Sequence, residues 1–93
     1  MNYEIKEENE KLILVENNIE IAFLKYSEDS DKDYEIQSVF VDEKYRGKGL
    51  AKIIFDEFIK KVRKENRKVI PICGYAKAQF EKIEELKMLL KKN

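Results

Sequence analysis

The stretch of this sequence richest in chemistry is Val39-Phe40-Val41-Asp42-Glu43-Lys44-Tyr45-Arg46-Gly47-Lys48-Gly49-Leu50-Ala51. An apolar run passes through a short polar loop into a glycine-containing turn, and the turn opens a segment of helical periodicity. Gly47 and Gly49 let the backbone approach a ligand with no Cβ in the way. The first N–H groups of a helix lack intrahelical partners and point at whatever lies before them. The helix dipole adds about half a positive charge there, and Arg46 and Lys48 add whole ones. A diphosphate suits such a place. Two other phosphate sites are excluded: a P-loop needs Ser or Thr after its lysine, and a dinucleotide fingerprint needs three spaced glycines. Taken alone, Gly-Lys-Gly would also fit a solvated turn at a helix start.

The elements that must position this turn are legible on both sides of it. Lys11 to Val15 and Ile19 to Tyr26 are apolar or alternating runs around Asn17-Asn18, a pair that accepts positive φ, so they read as a β-hairpin. Ser27-Glu28-Asp29-Ser30-Asp31-Lys32-Asp33 reads as a solvated acidic loop without an apolar anchor. Tyr34 to Val41 is a third strand, continuously apolar at its end, as where a strand is covered on both faces. From Leu50 to about Asn66 the period changes. Ala51, Ile54, Phe55, Phe58 and Val62 form one stripe, with Lys52, Asp56, Lys60, Lys61 and Arg63 facing outward. Val69 to Cys73 is a short strand whose Pro71 restricts it to an edge or to one-sided pairing. Ala76 to Lys91 follows as a second helix, with Phe80, Ile83, Leu86 and Leu90 on a stripe. The order is β-β-β-α-β-α, an α/β (α+β) fold whose mixed sheet has antiparallel N-terminal strands and one right-handed βαβ crossover.

Composition narrows the function. Ninety-three residues make one domain, residues 1–93. Charged residues reach 41%, against about 25% in average domains, but 19 basic and 19 acidic residues cancel. That balance argues against nucleic acid as the main ligand. The absence of histidine removes imidazole acid–base chemistry and His-ligated metals. A single cysteine, Cys73, excludes an intramolecular disulfide and cysteine-rich zinc, so no metal is expected. No run approaches the ~20 apolar residues of a membrane span. With a free thiol and no export signal at the start of the sequence, the expectation is a cytoplasmic protein. Nothing requires a partner chain.

Arg46-Gly47-Lys48-Gly49-Leu50-Ala51, with its Val41–Tyr45 lead-in, resembles the acetyl-CoA motif Arg/Gln-x-x-Gly-x-Gly/Ala of the GNAT acyltransferase superfamily. The resemblance covers roughly residues 9–90. It implies acetyl-CoA as cofactor, with the backbone of Arg46, Gly47, Lys48, Gly49, Leu50 and Ala51 on its pyrophosphate. Val39, Phe40 and Val41 would pair with the pantetheine arm as a pseudo-strand. The implied reaction is attack of an amine acceptor on the thioester. Members of ordinary size carry two helices after the first strand, for which Glu16-Asn17-Asn18 leaves no room. The chain therefore resembles a short subgroup with a Pro-x-Cys-x-Tyr/Phe segment, matched by Pro71-Ile72-Cys73-Gly74-Tyr75, and its acceptor side is expected to be open. A module that binds the cofactor without a formed acceptor site is the alternative.

Three residues are candidates for the reaction. Cys73, at the end of the fourth strand, could accept the acetyl group or assist its transfer, or be a small buried hydrophobe. Tyr75 is placed to protonate the departing thiolate, as the family often does with a tyrosine, or to close the strand–helix corner. Glu35 stands where some family members carry a general-base glutamate, or is an exposed acid on an alternating strand.

Overall fold

The hairpin around Asn17-Asn18 is present. β2 (Lys11–Glu16) and β3 (Ile19–Glu28) pair antiparallel, and the two asparagines have φ of 51° and 66°, the backbone of a tight two-residue turn. The computed structural model, which describes residues 3–92, adds a hairpin before it. β1 (Glu4–Glu8) pairs antiparallel with β2 through Asn9-Glu10, whose φ values are 50° and 58°. This strand was not expected: Glu-Ile-Lys-Glu-Glu shows no apolar alternation, and glutamate is rare at positive φ. A short charged strand is what a sheet edge needs to resist pairing with other chains.

β4 (Tyr34–Val41) lies antiparallel to β3, and β5 (Val69–Pro71) lies parallel to β4, giving the order β1-β2-β3-β4-β5. The connection between β4 and β5 is α1 (Leu50–Glu65), which stops at Asn66 in a left-handed conformation with φ 58°. Its buried stripe is Leu50, Ile54, Phe55, Phe58, Ile59 and Val62. Ala51, expected on that stripe, is half-buried instead. The stripe packs on the inward residues of β2, β3 and β4, including Leu14, Leu24 and Ile36. α2 (Gly74–Lys82) lies beside α1 on the same face, since Phe55 meets both Phe80 and Tyr75 at centroid distances of 5.9 Å. On the opposite face Phe23 and Phe40 stack at 5.4 Å across β3 and β4. Among the described residues, no helix is long and apolar enough to cross a membrane.

Two C-terminal expectations need correction. The strand expected to reach Cys73 ends at Pro71, and the helix expected over Ala76–Lys91 ends at Lys82. Ile83 is extended (φ −104°, ψ 107°), and a 3₁₀ segment, Glu84–Leu89, follows. No helix breaker marks this place, so tertiary contacts override propensity. Leu90 bridges Val69 on the outer edge of β5, and the Lys91 N–H donates to the Val69 carbonyl at 2.9 Å. The Lys91 ammonium meets the carboxylates of Asp29, Asp31 (2.9 Å) and Asp33 (3.4 Å). The acidic loop is thus anchored by the chain's own cation rather than free in solvent.

Candidate functional site

The turn that opens α1 is built as its residues require. Asp42 caps a 3₁₀ turn, Glu43–Tyr45, by accepting from the Lys44 N–H at 3.0 Å. Gly47 and Gly49 then take φ of 82° and 78°, values that glycine adopts without steric cost. A Cβ at Gly49 would meet nothing within 4 Å. The φ therefore demands glycine, and the space before the helix is open. Gly49 precedes Leu50 with no side-chain cap on the helix, so the first amides of α1 keep donors for a ligand.

The strand leading into this turn has a free edge. Along β4, β5 reaches only Tyr34, Glu35 and Ile36. Two features end the pairing there: Pro71 opposite Ile36 has no N–H to give, and the Ile36 carbonyl already accepts from both Ile72 (3.0 Å) and Cys73 (3.2 Å). Gln37 is an extra residue, since Lys25 faces Ser38 while Tyr26 faces Ile36, and such a bulge bends its strand. Beyond it the ladder phase is fixed by the Asp42 N–H, which donates to the Ile21 carbonyl at 2.8 Å while Val41 stands opposite Ala22. The amides and carbonyls of Val41 and Val39 therefore face away from β3, toward the side β5 has left.

Strand edge and turn share one cleft of about 370 Å³, lined by Val39, Phe40 and Val41 from the strand, and by Tyr45, Arg46, Gly47, Gly49, Leu50 and Ala51 from the turn. Eight of the nine residues expected at the cofactor line it. Lys48 does not; its ammonium lies 5.4 Å from the centroid of the Tyr45 ring. Tyr45, unassigned from sequence, forms part of the wall. Arg46 Nε donates to the Val41 carbonyl at 3.0 Å, and its guanidinium carbon lies 5.9 Å from the centroid of Phe40.

None of the three reaction candidates lines that cleft. Cys73 stands where β4 and β5 part. It is half-buried against the core, and its Sγ accepts from the Ala76 N–H at 3.4 Å, capping α2. Tyr75, two residues on in the first turn of α2, packs on Phe55; burial, with the Asp56 charge second, raises its phenol pKa above the ordinary value. Glu35 is on the other face of the sheet from these two. Its carboxylate accepts from the Ser27 hydroxyl at 3.0 Å and the Gln37 amide at 3.2 Å, and the same amide also donates to Ser27 at 2.9 Å. Ser27 and Gln37 were not singled out from sequence. A bulge leaves no compositional mark, so Gln37 read as one more strand residue.

Comparison with known proteins bears on this arrangement. The family model described as GCN5-related N-acetyl-transferase matches residues 2–89. No curated protein matches the sequence. Among solved structures, a GCN5-like candidate N-acetyltransferase from Staphylococcus aureus, determined in solution by NMR, is similar at a TM-score of 0.77 and 23% identity, covering 97% of this chain and 89% of its own. A ribosomal-protein-alanine N-acetyltransferase from Brucella melitensis biovar Abortus is similar at 0.61 and 17%, over 78% of this chain and 59% of that one. A predicted acetyltransferase from Clostridium acetobutylicum, solved with acetyl-CoA, gives 0.57 and 18%, over 89% and 62%. The chain thus spans about three fifths of the two larger proteins, and at these identities the likeness is one of fold.

Proposed function

The chain belongs to the GCN5-related N-acetyltransferase family, and from that premise we propose that it binds acetyl-CoA in the cleft between β4 and the start of α1 and passes the acetyl group to an amine. One observation carries this reading: a diphosphate turn and a free strand edge open into the same cleft. The backbone from Arg46 to Ala51 would take the diphosphate, Arg46 and Lys48 adding charge. Val39 to Val41 would take the amide-bearing arm as an added strand. The cofactor is the one with which the C. acetobutylicum neighbour was solved.

In the proposed reaction the amine nitrogen bonds to the thioester carbon and the carbon–sulfur bond breaks. The amine gives up a proton, and the departing thiolate takes one. Tyr75 suits the second step, because a phenol carries its proton at neutral pH. Cys73, where the strands part, would stand near the thioester and could carry the acetyl group as an enzyme thioester. Glu35 would receive the amine proton from the helix-free face. The Pro71-Ile72-Cys73-Gly74-Tyr75 segment supports membership of the short subgroup, and the unpaired thiol fits a reducing compartment such as the cytoplasm.

A second reading, a binding module without acyl transfer, is favoured by one observation: none of the three candidate groups lines the cleft. Release of CoA from acetyl-CoA in the presence of small primary amines separates the two. Transfer predicts amine-dependent release, lowered on the order of 10²-fold by Tyr75→Phe with binding intact. If Cys73→Ala, Tyr75→Phe and Glu35→Gln all match the wild type, these assignments are wrong. If no amine accelerates release while acetyl-CoA binds, the binding-only reading holds.

A further inference from the structure

Arg46 has two claims on it. Its backbone belongs to the diphosphate turn, but its side chain turns back and donates Nε–H to the Val41 carbonyl at 3.0 Å, with the guanidinium over the exposed Phe40 ring. That carbonyl faces away from β3, on the edge that β5 leaves unpaired, which is the direction from which an added strand donates its N–H groups. The carbonyl has two lone pairs, but Arg46 takes one of them on the same open edge along which an amide arm on Val39–Val41 would lie, so the two compete there. A phosphate shifts the contest, because it offers the guanidinium a full opposite charge and paired acceptor oxygens, whereas the Val41 carbonyl offers one neutral acceptor to a single N–H. Arg46 is exposed, so no packed side chain holds it against that pull.

We propose that Arg46 is a specificity-determining residue that makes the strand-edge half of the cleft conditional on the ligand's diphosphate. A thioester carrying the diphosphate draws the guanidinium onto its phosphates, and Val41 is released to the arm. A thioester on the arm alone has to displace Arg46 without recompense and binds poorly. The cleft thereby selects acyl-CoA over acyl-pantetheine by more than the phosphate contacts themselves supply. This inference rests on the acetyl-CoA reading above.

The test is a pair of calorimetric titrations, with acetyl-CoA and with S-acetylpantetheine, on the wild type and on Arg46→Met, which keeps length and loses every donor. The expected signature is opposite in sign for the two ligands. Arg46→Met weakens acetyl-CoA by about tenfold or more and tightens S-acetylpantetheine by about fivefold, the scale of one hydrogen bond no longer contested. An arginine that only attracts phosphate would leave S-acetylpantetheine unchanged, and one that only supports the turn would weaken both ligands. Either result, or no binding of S-acetylpantetheine to the variant at millimolar concentration, overturns the proposal while the acetyl-CoA reading stands. Failure of the wild type to bind acetyl-CoA removes that reading and this one with it.

Discussion

The two ends of α1 face opposite chemical situations. At its C-terminal end, Lys61 bonds the carboxylates of Glu7 and Glu65, each at 2.8 Å. The Tyr26 hydroxyl donates to Glu7, and the Tyr34 hydroxyl to Glu65 at 2.6 Å. Arg67 bridges Glu65 and Glu28 and lies 4.6 Å from the Tyr34 ring centroid. Tyr26, Tyr34 and Phe58 close the apolar side, with centroids 5.2–5.4 Å apart. At the N-terminal end there is no side-chain cap, two glycines hold positive φ, and a strand edge stands open. One end of the helix spends its polar groups on the chain itself, and the other holds them for something else. The difference teaches where stability and where binding are kept: a satisfied network rigidifies, and an unsatisfied terminus costs stability but binds.

Changes at the network end should break this contrast most. Phe58→Ala, at a fully buried ring against both tyrosines, is expected to cost about 3–5 kcal/mol in urea unfolding, with acetyl-CoA affinity of the folded fraction unaltered. Lys61→Met leaves two carboxylates short of a donor in a partly buried place and should cost about 1–3 kcal/mol, again without touching affinity. At the cleft end the order reverses. Gly49→Ala forces a Cβ into φ +78°, at about 1–2 kcal/mol, and the same titrations should register a change in affinity that neither network variant produces. Lys52→Ala removes an exposed i,i+4 pair with Asp56 and should change stability by no more than about 0.5 kcal/mol.

Acid sharpens the same comparison. Lys61, then the Tyr26 hydroxyl, hold the Glu7 carboxyl below the usual range; burial would raise Glu65, but Lys61 and Tyr34 outweigh it and lower that group too. Carboxyls depressed in the fold stabilise it fully above their unfolded pKa, about 4.3. That contribution is lost as pH falls through the lower folded values. Urea midpoints of the wild type should therefore fall between about pH 5 and pH 3, and the fall should be shallower in Lys61→Met. Equal slopes would mean that the network does not carry the acid sensitivity.

The cleft end was the more legible of the two in sequence, for a physical reason. A turn that needs positive φ before a helix has few residue choices, so Gly47 and Gly49 advertise it. Asn17-Asn18 does the same for one hairpin. The network end is written in Lys, Glu and Tyr, types that are individually ordinary on a surface, and Lys61 read as one more outward charge. β1 escaped notice because its residues are mostly charged, and the break at Ile83 because contacts with β5 and the acidic loop decide it. Gln37 could not be told from a regular strand residue, yet its bulge stands where β4 and β5 part company. What depends on local backbone demand could be read, and what depends on distant partners could not.

The central claim is that the turn from Arg46 to Ala51 receives the diphosphate of acetyl-CoA. Its most direct test is calorimetric titration of acetyl-CoA into the wild type and into Gly49→Glu, with a thermal melt to establish that the variant is folded. The account predicts micromolar binding to the wild type and none to a folded Gly49→Glu, whose added acid stands before the helix amides. Equal affinity in both proteins, or no binding to the wild type, would contradict it.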